Sequence, residues 1–85
     1  MQSSRTSDLL RAVQLAESGA WSAAHDLAQQ HEGDPNADWI HAVLHKIEGD
    51  GGNSRYWYAR AGRPADFSKD PASEWTEIRS VLEHS

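Results

Sequence analysis

Two Asp-Pro pairs divide this chain. Asp34-Pro35 opens the hexapeptide DPNADW, and 36 residues later Asp70-Pro71 opens DPASEW. Asp is a strong helix N-cap, and Pro at the first helical position gives up no hydrogen bond. Each pair therefore starts a helix that carries a Trp one turn in. Glycines supply the stops: Gly19, the corner Gly49-Asp50-Gly51-Gly52, and Gly62 with Pro64 close behind. These signals predict helices near 7–18, 21–31, 35–48, 52–61 and 71–83. No segment alternates with the two-residue period of a strand, so the expected fold class is all-α.

Apolar residues recur at helical spacing in each segment. Leu9, Ala12, Val13 and Ala16 mark the first helix, with Ser7 as its expected cap and Asp8 in its first turn. Residues 1–6 are polar and expected to fray. Ala24, Leu27, Ala28 and His31 share one side of the second helix. Ile40, Val43, Leu44 and Ile47 form the stripe of the third, and Trp75, Ile78 and Leu82, with Val81 beside them, that of the fifth. Asp50 or Asn53 caps the fourth, and Phe67 is expected to pin the loop over 63–70 to the core.

The chain of 85 residues makes one domain. A domain of that size buries only roughly 60–65% of the surface its unfolded chain exposes. Any site is therefore shallow, or completed by a second chain. Absence of cysteine excludes a disulfide framework, thiolate metal sites and a thiol nucleophile. No apolar run reaches signal-peptide length near the N-terminus or the roughly 20 residues of a membrane span, and the expectation is a cytoplasmic protein without a membrane partner. Thirteen acidic against eight basic residues give a net charge of −5, which argues against nucleic acid despite the local cluster of Arg55, Arg60 and Arg63. There is no phosphate-binding loop, dinucleotide fingerprint or nucleophile elbow.

The hexapeptides match at four of six positions, counting Asp38 against Glu74 as charge-conserving. A helix pair recurring every 30–36 residues is the pattern of an α-solenoid. The segment EGDGGNSRYWYARAG resembles the second half of a tetratricopeptide or Sel1-type repeat, through Gly49, Asp50, Trp57, Tyr58, Arg60, Ala61 and Gly62 in order. ESGAWSAAHDLAQQ is similar more loosely, through Gly19, Trp21 and Ala24. The chain departs from the pattern at Ser54, where the family usually has Ala, and at His41-Ala42, which replace its Leu-Gly. The resemblance implies two helical hairpins and a capping helix. On function it implies little beyond a surface for other proteins, which such repeats mainly build.

One side of the third helix is not explained by this pattern. Asp38, His41, His45 and Glu48 fall within about an 80° sector of a helical projection, roughly opposite Ile40, Val43 and Ile47. Two imidazoles one turn apart suit a single divalent ion such as Zn²⁺, with flanking carboxylates completing or orienting the set. His25 on the second helix could add a third nitrogen. The same residues also suit packing against the second or fourth helix, with Glu48 paired to Lys46 or Arg55, and packing takes the greater weight.

The four Trp stand 18 residues apart, at 21, 39, 57 and 75. A thin core uses large aromatics to bury area, so at least two belong inside, Trp57 among them. Trp39, Tyr56 and Arg60 are the candidate partner contacts. The leading expectation is a non-enzymatic helical module that binds a protein partner or itself as a homodimer, without a cofactor. The alternative is a small metal-binding protein or metalloenzyme using the Asp38, His41, His45 and Glu48 stripe.

Overall fold

A computed structural model describes residues 4–84. They form α1 (Ser4–Glu17), α2 (Trp21–Gln29), α3 (Pro35–Ile47), α4 (Gly51–Ala61) and α5 (Pro71–Glu83), with no strand among the described residues. The chain is all-α. None of these helices is long and apolar enough to cross a membrane.

The starts and stops follow from local chemistry. Asp34 Oδ1 accepts from the backbone N–H groups of Asn36 at 2.9 Å and Ala37 at 3.2 Å, which caps α3. Asp50 does the same for α4 through the N–H of Asn53. Asp70 takes the extended backbone of a cap, but its side chain makes no cap bond. Gly49 and Gly62 carry the left-handed φ values, 84° and 71°, that end α3 and α4. After each, the next N–H turns back across the last turn. Asp50 donates to the His45 carbonyl at 2.9 Å, and Arg63 to the Tyr58 carbonyl at 3.0 Å.

α3 is the centre of the molecule. Every residue from Ala37 to His45 is buried. It meets all four other helices, while α1 and α5 also meet each other. The core is thus a closed group of α1, α3 and α5. α2 lies outside it against α1 and α3, and α4 against α3. The Arg79 guanidinium on α5 pairs with Glu17 on α1, which ties the last helix back to the first. A linear row of helices would leave those two apart.

Several expectations are corrected here. α1 begins at Ser4, so Ser7 lies inside it and caps nothing. Thr6 is buried, and Arg5 pairs with Asp34 at 2.6 Å, which secures a turn expected to fray. Residues 1–3, the rest of that stretch, lie outside the described residues. Asp8 accepts from His31 Nε2 at 2.9 Å, joining α1 to the turn after α2. Ile47 and Val81 fit the helical pattern but are exposed: Val81 faces away from the side on which Ile78 and Leu82 are buried, and Ile47 is the last residue of α3. Phe67 is exposed as well. Its ring meets Tyr58 edge-on at 6.4 Å and lies 5.4 Å under the Arg55 guanidinium.

Trp39, Trp57 and Trp75 are buried, and Trp21 packs partly buried against the core. The acidic residue before Trp39 and that before Trp75, Asp38 and Glu74, are buried too. Ser54 is fully buried and donates from Oγ to the Ala42 carbonyl at 2.8 Å. This bond is what Ser supplies where an Ala would only pack.

Candidate functional site

α2 and α4 both pack on α3, with no close approach of their backbones to each other. The space between them is filled by rings. His41 and His45 stand one turn apart on α3, so they share a face and stack at 4.9 Å. Trp21 and His25, also one turn apart, stack at 4.9 Å on α2. Trp57 of α4 closes the far side by stacking on His41 at 3.9 Å. The indole N–H of Trp21 donates to the Leu44 carbonyl at 2.7 Å and fixes α2 in register on α3. His25 then sits edge-on to His41 at 4.4 Å and to His45 at 5.5 Å.

The three imidazoles form one cluster. A ring nitrogen of each lies within 4.8 Å of one on both others. His41 is almost fully buried, and its Nδ1 is the buried side-chain nitrogen left without a hydrogen-bond partner among the described residues. Such a group is costly in a folded protein and points to a missing partner.

Burial disfavours the charged form of two of the three rings. Burial, then the neighbouring His25 and His45, lower the His41 pKa to about 4. Burial and His45 lower that of His25 as well. His45 Nδ1 lies 2.6 Å from Glu48 Oε1. An ionised carboxylate only accepts, so Nδ1 carries the proton, and in the neutral ring Nε2 holds the free lone pair.

The expected stripe divides between two roles. His41 and His45 join His25, whereas neither carboxylate belongs to that three-histidine group. Asp38 accepts from the Gly33 N–H at 3.1 Å and lies 4.0 Å from Arg60 Nε. Glu48 is held by His45, not by Lys46 or Arg55. Lys46 instead goes to Glu74 and to the carbonyls of Asp66 and Lys69. His45, Glu48 and Asp50 make a second close group, but Asp50 is engaged as the α4 cap.

Of the candidate partner contacts, Tyr56 is 54% exposed, and Arg60 donates to its hydroxyl at 3.2 Å. Trp39 has no face to offer. It is buried, its N–H is given to Glu74 at 2.9 Å, and the Arg63 guanidinium covers its ring at 3.5 Å. The residue that sequence spacing leaves out is Trp21. Its interval of four from His25 is a signal, since together the two present a stacked ring pair to α3.

Fold and site together define a small all-helical protein with a histidine cluster between its outer helices. Compared with protein-family models, curated proteins and solved structures, the chain matches none.

Proposed function

We propose that this domain binds a divalent transition-metal ion through His25, His41 and His45. The observation that carries the reading is the buried, unpartnered Nδ1 of His41 in a group of three clustered imidazoles, with burial lowering the pKa of His41 and His25. Neutral imidazole nitrogens without cysteine suit Zn²⁺, Co²⁺, Ni²⁺ or Cu²⁺ over Mg²⁺ or Ca²⁺. Glu48 acts on His45 as the outer carboxylate that fixes the tautomer and raises ligand basicity. Two nitrogens on one zinc ion stand at most about 4.2 Å apart at usual bond lengths. His25, the most exposed of the three with 20% of its side chain accessible, is the ligand freest to adjust on loading.

Calorimetric titration of untagged, chelator-treated protein with Zn²⁺ and Co²⁺ tests the reading. One ion per chain is expected, with binding lost in both His25→Ala and His45→Ala at retained helix content. Unchanged affinity in either variant, or no saturable binding by the parent, counts against it.

A second reading, contact with a protein partner or a second copy, is favoured by the exposed Tyr56 and its Arg60 neighbour. Loss of a partner or of dimerisation in Tyr56→Ala, with metal affinity kept, would separate this role from the first.

A further inference from the structure

We propose that the ion held by His25, His41 and His45 keeps one coordination position open and takes a small monodentate anion there. This inference rests on the metal reading above. It concerns what the three-histidine set leaves unfilled.

The donor count is the first support. Among the described residues, the group that shares His41 contains three histidines and no carboxylate. Of the nearby groups, Asp26 lies 4.0 Å from His25 Nδ1 with 76% of its side chain in solvent and is not part of the three-nitrogen group, and the others are engaged. Glu48 is bound to His45 Nδ1, and Asp38 is held by the Gly33 N–H beside Arg60. The indole N–H of Trp21 has no lone pair to give and is donated to Leu44. Tetrahedral zinc or cobalt with three protein nitrogens has a fourth position for water or another exchangeable ligand.

Charge balance gives the class of ligand. Three neutral imidazoles leave the two positive charges of the ion uncompensated in their own shell. Glu48 sits behind His45 and Asp26 lies 4.0 Å from His25 Nδ1, both outside that shell, and the charge of Arg60 reaches His41 with the same sign as the ion. An anion at the open position is favoured over a neutral ligand in such a partly desolvated site.

Access gives the size. Trp57 seals the cluster on the His41 side by stacking at 3.9 Å. Trp21 stacks on His25 and meets His45 edge-on at 5.9 Å. Solvent reaches the three rings unevenly: His41 is 3% exposed, and the side chains of His45 and His25 are 11% and 20% exposed. Exposure is greatest at His25, so an exchangeable ligand would reach the ion from that side, and the small exposure of all three rings favours one of a few atoms.

Cobalt as the probe makes the shell visible, because the d–d absorption of Co²⁺ reports coordination number and ligand exchange. The chain is loaded with one equivalent of Co²⁺ and titrated with azide, with cobalt content measured after desalting. The expected result is a saturable change in the visible bands with all cobalt retained. Cobalt bands that azide leaves unchanged would show a filled shell and overturn this inference while the metal reading stands. Azide that strips cobalt from the protein would overturn it as well. Absence of any protein-bound cobalt would remove the metal reading, and this inference with it.

Discussion

His41 shows the conflict between stability and function at the scale of one residue. Its ring is well packed on Trp57, yet its Nδ1 is buried without a partner. An unsatisfied buried polar atom costs about 1–3 kcal/mol. Phe would keep the stack and remove the orphan. In chelator, His41→Phe is therefore expected to unfold at the same or higher urea concentration than the parent, and to bind no metal. A marked loss of stability would mean that Nδ1 has a partner after all. The ring also sets a pH dependence. Unfolding returns His41 to its ordinary pKa near 6.5, so below that pH the unfolded chain takes up a proton that the native one refuses. Metal-free stability is expected to be full above pH 6.5 and to fall as pH drops towards about 4. His25 acts in the same direction. Urea midpoints measured across that range should decline in the parent and much less in His41→Phe.

At the scale of the helices, Glu74 joins three of them. From α5 it accepts the indole N–H of Trp39 on α3 at 2.9 Å and the Tyr58 hydroxyl on α4 at 2.6 Å, and it pairs with Lys46. Both members of that ion pair are buried. Burial, then the bond to Glu74, push the Tyr58 hydroxyl well above its usual range, so it stays protonated and donates. Breaking one side of a buried pair typically costs 3–5 kcal/mol, whereas replacing both with apolar groups can be neutral. Glu74→Ala is thus expected to lower stability by about 3–5 kcal/mol in urea unfolding, with Lys46→Met partly reversing the loss. Stability unchanged in Glu74→Ala would show that the network is not a fastening.

The same residues show what a linear reading can reach. Helix starts and stops were legible because they depend on Asp-Pro and Gly chemistry within a few residues. The His41 and His45 pair was legible because both lie on one helix. His25 entered only as a possible third nitrogen. Its place beside them depends on how α2 is seated on α3 through Trp21, which periodicity does not encode. Ile47, Val81 and Phe67 fit an apolar pattern, but exposure depends on where the neighbouring elements lie in space. The fate of Glu48 and Lys46 turned on partners at hydrogen-bond range, one on the same helix and one 28 residues away.

Across the whole molecule, α2 is the element most dependent on the site. It has nine residues, and the cap position Ala20 makes no side-chain bond. Helices this short are marginal alone and rely on packing. Its buried residues are the two small ones, Ala24 and Ala28. Further ties are the partly buried Leu27, the packing on α1, Trp21 to Leu44, the His25 contacts, and His31 to Asp8 in the turn that follows. A ligand that binds only the folded state stabilises it by about 2.7 kcal/mol when present at 100 times its Kd. Because the proposed ion bridges His25 of α2 to His41 and His45 of α3, that stabilisation should fall first on openings that lift α2 from the core. Hydrogen exchange followed by mass spectrometry, with and without saturating Zn²⁺, measures this directly. Amides of α2 should slow by one to two orders of magnitude, and those of α5, which open without breaking the site, should slow less. In His25→Ala the α2 amides should exchange at one rate with or without the ion. Protection spread evenly over all five helices, or confined to α3 and α4, would show that the ion does not bridge α2 to α3.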